Sequence, residues 1–319
     1  MNYQADLIPT QQLFQRLIDK YATENGTDWV KQKAEAYKQS PANRTFFLMF
    51  SAAPRFVGKE PIPFTTEELA EAQALRKGFD LTGWTMDQLV RVYFVLHLPH
   101  KDQSAYVQLL NQVFEMADMH ELVALYTALP ILPHPEALAK RAAEGIRTNM
   151  TVVLDAICLN NPYPAEYLDE IAWNQLVLKS VFTERPLYKI LGADSRANAH
   201  LAHMLSDYAH ERWAASRLVT PELWRFTGQF LNESLLQDMK TLVAKEDPHE
   251  RYAAILACME SSSGLAKDLL KHHQDLVKEV QEKQLDWDRL GAAYEVDKGP
   301  LPTGYQQAGS GVSVSDPEA

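Results

Sequence analysis

The sequence predicts an all-α protein, and three observations carry that reading. Glycine is scarce, at 13 of 319 residues. Period-two alternation, the mark of a half-buried strand, is hard to find. Apolar residues recur instead at intervals of three and four, as at Leu138, Ala142, Ile146, Met150, Val153 and Ile157, which share one helical face. The expected architecture is an irregular right-handed stack of helical hairpins, HEAT- or armadillo-like in the manner of an α-solenoid, or else a helical bundle. No clean repeat period runs through the chain.

In chain order, helices are expected near residues 9–23, 26–39, 42–53, 66–79, 85–98, 102–115, 118–128, 135–159, 165–183, 195–217, 221–230, 233–245, 248–260 and 263–290. Their starts carry recognisable chemistry. Thr65-Thr66-Glu67-Glu68 supplies a cap with acids in the first turn, and Thr85-Met86-Asp87-Gln88 fits a capping box. Thr220-Pro221 and Asp247-Pro248 each place a capping residue before proline at the first helical position. Residues 246–270 form the most HEAT-like unit, a proline-started helix, a serine turn and a second helix. Residues 1–60 read as an N-terminal helical segment that ends in the Pro-rich connector 54–64, and 61–290 as the main helical domain. From Gly291 the periodicity fades into Gly, Ser and Pro, so 291–319 is read as a disordered tail.

A chain of this length buries about 75% of its unfolded surface, enough for a sizeable core. Apolar residues make up 46% and charged residues 23%, ordinary soluble usage. The net charge of −11 argues against nucleic acid and anionic membrane as partners, since both attract basic patches. The start, MNYQADLIPTQQLF, lacks a basic segment followed by an apolar run, so no signal peptide is expected. The most apolar windows, 46–56 and 152–159, fall short of a transmembrane span. Cys158 and Cys258 sit singly in helical patterns and read as core thiols in a reducing compartment.

Polar residues concentrate between Arg141 and Arg225. Lys140, Glu144, Arg147, Thr151 and Asp155 form a stripe opposite the apolar face of the 135–159 helix, with Gly145 leaving room for close approach. Asn160-Asn161-Pro162-Tyr163-Pro164 is a rigid turn that can present Tyr163 and an asparagine amide to a groove. The next helix is apolar on nearly all sides and is expected to be buried, so Asn174, Gln175 and Lys179 need partners. Lys179 could pair with Glu144, Asp155, Asp207 or Glu211. His203, Asp207, His210 and Glu211 share a face of the following helix, a spacing able to bind a divalent metal or to form a salt-bridged network with nearby arginines. No phosphate loop, CxxC pair, dinucleotide fingerprint or Ser-His-Asp order appears.

AEGIRTN, NPYP, the AWNQ helix with its VLK continuation, DYAHERWA and PELWR together resemble the core of the EboA-domain family, over about residues 130–231. Carried over, the family's motifs fall on Glu144, Gly145, Arg147 and Asn149, then Asn161, Pro162, Tyr163 and Pro164. They continue at Trp173, Asn174, Gln175 and Lys179, then Asp207, Tyr208, His210, Glu211, Arg212 and Trp213, and close at Pro221, Leu223 and Trp224. His203 lies outside the pattern. The resemblance implies a cytoplasmic helical component of a gene cluster that makes and exports a secondary metabolite. Companions in such clusters include a UbiA-like membrane prenyltransferase and metal-dependent barrel hydrolases. The resemblance transfers no catalytic residue.

The leading expectation is a non-enzymatic binding or scaffold protein, without cofactor or metal. Its ligand would be a metabolite precursor or a protein of the same cluster, held in an interhelical polar groove. Tyr163, Trp173 and Trp213 would give apolar contact, and Arg147, Lys179 and Arg212 would meet an anionic group. Glu144, Asn149, Asn161, Asn174, Gln175, Asp207, His210 and Glu211 complete the candidate lining. Two alternatives stand beside it: a metal-dependent, hydrolase-like enzyme using Asp207, His210 and Glu211, and a purely architectural adaptor.

Overall fold

A computed structural model of the chain describes residues 6–299. These residues are all-α, with no strand among them. The helices in order are α1 (Leu7–Tyr21), α2 (Glu24–Gln39), α3 (Asn43–Val57), α4 (Thr66–Leu75), α5 (Met86–Val95), α6 (Gln103–Met116), α7 (Met119–Ala128), α8 (Ala139–Gly145) and α9 (Thr151–Cys158). Then follow α10 (Tyr163–Tyr167), α11 (Glu170–Phe182), α12 (Ala193–Arg196), α13 (Ala199–Ala214), α14 (Glu233–Val243), α15 (Pro248–Glu260), α16 (Gly264–His272), α17 (Gln274–Glu282) and α18 (Trp287–Lys298). Short 3-10 helices link some of them, among them Pro135–Leu138, Leu187–Lys189 and Pro221–Phe226.

Two helices act as hubs. Helix α5 packs against α1, α3 and α7, and α15 packs against α14, α16, α17, α18 and the 3-10 helix Pro221–Phe226. Every residue of α5 is buried, including Asp87 and Arg91, which neutralise each other as a buried ion pair one turn apart. One connected apolar core runs from Leu13 to Leu290. Cys158 and Cys258 lie in it as free thiols, and burial pushes both thiols up to about 12.

Local chemistry explains where the helices depart from the sequence reading. Thr65 caps α4 as expected, and with Glu68 it completes a capping box that was expected at Thr85 instead. Thr85 does not cap: its hydroxyl donates to Asp87, and Gln88 turns away to Thr127. The single helix expected over 135–159 is broken at 146–150. Thr148 accepts the Met150 N–H at 3.1 Å, so a local side-chain bond competes with the helical ladder. The proposed stripe is therefore not continuous. Asn198 interrupts the helix expected over 195–217 and caps α13 by accepting the Leu201 N–H at 2.9 Å. Residues 221–230, expected as an α-helix, form 3-10 turns. The helix expected over 263–290 is divided by His273 and by Gln284, whose φ of 51° lies in the left-handed region. The tail also begins later than expected: Asp286 caps α18, which continues through Lys298. The rest of that expectation, 300–319, lies outside the described residues.

Candidate functional site

A cavity of about 370 Å3 opens between the C-terminal end of α11, helix α13, the 3-10 helix Pro221–Phe226 and α18. That volume falls within the roughly 300–1,000 Å3 of small-molecule sites. Val181, Pro186, Leu218 and Val219 give it apolar wall, and Tyr208 and Tyr294 line it with rings.

Glu222 is the chemically unusual member of the lining. Its residue is 3% exposed, and its carboxylate accepts the N–H of Leu187 at 3.3 Å and, more closely, that of Tyr188. The carboxylate thus caps the 3-10 helix Leu187–Lys189 from across the fold. Burial nonetheless pushes it up to about 7, against the stabilising pull of these two backbone donors. A protonatable carboxyl in a cleft is a candidate functional group, and a capping role explains part of its environment.

Helix α18 is tied by polar contacts to the 3-10 helices Leu187–Lys189 and Pro221–Phe226. Glu295 accepts from the Tyr188 hydroxyl at 2.5 Å and pairs with Lys189 at 3.0 Å, while Arg225 reaches Asp288 at 2.7 Å. Burial, with Asp247, Glu184, Glu250 and Glu222 around it, raises the Tyr294 phenol well above its ordinary value. Cations line the cavity as well: Arg212, Arg217 and Lys298, with Arg217 and Lys298 exposed. Arg212 is oriented by two hydrogen bonds to the Leu218 carbonyl, at 3.1 and 3.0 Å, with Glu184 at 3.8 Å.

The residues expected from sequence do not converge on one groove. Of the three cations proposed to meet an anion, only Arg212 lines this cavity. Arg147 and Asn149 are exposed on the α8–α9 turn, and Glu144 pairs with Arg141 at 3.1 Å. Asn161 is buried and structural: its amide donates to the carbonyls of Tyr126 and Ala156, and its oxygen accepts the Tyr163 N–H. Tyr163 is fully buried and donates to the Pro135 carbonyl at 2.5 Å, so it presents nothing to a ligand. Trp173 is buried beneath the Arg196 guanidinium at 5.0 Å. Asn174 pairs with Asn198 through two amide hydrogen bonds, at 2.8 and 3.3 Å. Trp213 stacks on Trp224 and lies under Lys245.

Helix α11 is not buried all round. Ile171, Gln175 and Phe182 are exposed, and with Leu178 they mark one open face. A shallow groove of about 580 Å3 between that face and α13 brings together Gln175, Lys179, Asp207 and Glu211. Lys179 shares this groove with the acids of the next helix, but no ion pair within 4 Å joins it to either. Tyr208 lines both this groove and the cavity.

The His203–Asp207–His210–Glu211 set is separated by His210, whose Nε2 lies 2.6 Å from Asp238 on α14; Ser206 donates to the other Asp238 oxygen at 2.6 Å. Among the described residues, no group of three or more His, Cys, Asp or Glu is placed to hold a metal ion.

Sequence reasoning missed Glu222, Tyr294, Glu295, Arg217 and Lys298. Glu222 stood in PELWR, but an acid in the first helical turn reads as a dipole partner. Part of its burial comes from α18, far along the chain, which no local pattern reveals.

The fold and this cavity define an all-α protein with a ligand-sized cleft between its helices. The chain belongs to the EboA family, described as metabolite traffic proteins, and matches it over residues 10–228. No curated protein and no solved structure matches the chain. The matched span supplies α11, α13 and the 3-10 helix Pro221–Phe226, whereas α18 lies beyond it.

Proposed function

We propose that this chain is a non-enzymatic carrier for a small metabolite or metabolite precursor, held in the cavity between α11, α13, residues 221–226 and α18. It would act in the cytoplasm beside the proteins that make and export a secondary metabolite. The observation that carries the reading is the cavity itself: ligand-sized, lined by apolar residues, by Arg212, Arg217 and Lys298, and by the buried Glu222. The family's description as metabolite traffic proteins supports a traffic role. Among the described residues no helix is long and apolar enough to cross a membrane, so transport through the bilayer by such a helix is not part of the proposal.

The ligand set is narrower than the one read from sequence. Arg212 remains, with Tyr208, Arg217, Glu222, Tyr294 and Lys298 beside it. Asn161, Tyr163, Trp173 and Asn174 serve the fold. The test is native mass spectrometry of the freshly purified full chain and of an Arg217→Ala/Lys298→Ala variant. Both positions are exposed, so the variant is expected to fold. A bound organic mass in the parent that is depleted in the variant supports the reading. An equal load in both contradicts it.

One observation favours a second reading, an enzyme. A carboxyl poised near 7 inside a cleft suits general acid–base work at neutral pH. Conversion of the bound mass on incubation, stopped by Glu222→Gln, would select this reading.

A further inference from the structure

The open face of α11 is a different feature from the cavity. Trp173, Leu176 and Val177 bury the other side of this helix in the core. Ile171, Gln175, Leu178 and Phe182 follow one another at intervals of four, three and four, so they stand in a row over about three turns. Ile171 is 69% exposed and Phe182 64% exposed. Two large apolar side chains in one row, beside a groove, are more than scattered surface hydrophobics and point to a covered face.

The charges around that row are arranged in a specific way. Lys179 flanks the apolar ridge on α11, and Asp207 and Glu211 stand on α13 across the groove. No ion pair within 4 Å joins Lys179 to either acid in the single chain. The patch therefore carries both halves of an interface: an apolar ridge with a basic flank, and a groove with an acidic wall. A surface that presents a feature and its complement together satisfies the requirement of a two-fold, isologous contact.

We propose that two copies of this chain pair through this face, the α11 ridge of each seated in the α11–α13 groove of the other, with Lys179 of each copy against Asp207 and Glu211 of its partner. The two α11 and two α13 helices would then pack against one another, with Ile171, Leu178, Phe182 and Met204 as the seam. A second copy fits better than an unrelated acidic or basic helix, because the groove has an acid on one wall and a lysine on the other. Tyr208 lines both groove and cavity, so the partner would lie beside the cavity opening. Pairing does not depend on the cavity holding a metabolite.

The test is sedimentation equilibrium of the full chain over a range of concentrations, with circular dichroism to check folding. The parent is expected to be a reversible dimer. Phe182→Asp is expected to make it monomeric, and Lys179→Glu to weaken the dimer by about tenfold or more, because two-fold symmetry counts each reversal twice. The triple variant Lys179→Glu/Asp207→Lys/Glu211→Lys, which exchanges the two sides, is expected to dimerise as the parent does. A monomeric parent would overturn the proposal. So would a dimer indifferent to Phe182→Asp, or a triple variant no tighter than Lys179→Glu alone.

Discussion

The Glu222 carboxylate rests against the backbone of Gly291: a Cβ at position 291 would lie 2.4 Å from the Glu222 Oε1 and 2.7 Å from the Tyr188 ring. Only glycine lets α18 approach Glu222, a residue of the cavity lining, this closely. Gly291→Ala is expected to destabilise the protein by about 1–3 kcal/mol, as overpacking does, despite the better helix propensity of alanine. Chemical denaturation of the two proteins checks it. An alanine variant as stable as the parent would mean that α18 can shift without loss.

Glu222 should also give the protein a pH signature. An acid whose folded pKa lies above its unfolded value takes up a proton on folding. Its contribution is therefore fully present below the unfolded value of 4.5 and is lost as pH rises through about 7. The size of the shift corresponds to roughly 3 kcal/mol. Glu222→Gln keeps an acceptor and cannot ionise. Its stability relative to the parent is expected to grow between about pH 5 and pH 8. Parallel denaturation curves in which that difference stays constant would contradict the assignment.

His210 and Asp238 provide a third expectation. Asp238 is 4% exposed and holds Ser206 and His210 at 2.6 Å each. His210→Ala leaves a buried carboxylate short of a partner and is expected to lower stability by about 1–3 kcal/mol. If His210 served a ligand and not the fold, ligand binding would fall while the denaturation midpoint stayed in place.

Asn174 separates structural from functional polarity in the same way. Asn174→Leu removes both amide hydrogen bonds to Asn198, the residue that caps α13. A stability loss of about 1–3 kcal/mol with unchanged occupancy of the cavity is expected. Thermal unfolding and native mass spectrometry of one preparation read both quantities.

The helical class was legible because it follows from periodicity, and several ends were legible because capping is local. Thr65 with Glu68 and Asp247 before Pro248 behave as read. Breaks inside long apolar patterns were not legible. At 146–150 the apolar face keeps its spacing, and the interruption comes from Thr148 and the chain geometry after Gly145. Gly145 itself was informative. A Cβ there would meet the Tyr126 ring at 2.4 Å, the close approach its presence in a helix suggested.

The candidate site was legible only in part, for a physical reason. Buried polar residues such as Asn161, Tyr163 and Asn174 stand out in a sequence just as ligand-binding residues do, because both must be satisfied. Which role a residue has depends on partners distant in the chain: Tyr126 for Asn161, Pro135 for Tyr163, Asn198 for Asn174. The cavity's own residues come from α11, α13, 221–226 and α18. Only Arg212 was named for both.

A crystal structure of the full chain with its co-purified small molecule tests the central claim most directly. The expected result is ligand density in the cavity, in contact with Tyr208 and Tyr294, with an anionic group toward Arg217 and Lys298. Density in the α11–α13 groove, or against Arg147 on the α8–α9 turn, would contradict it.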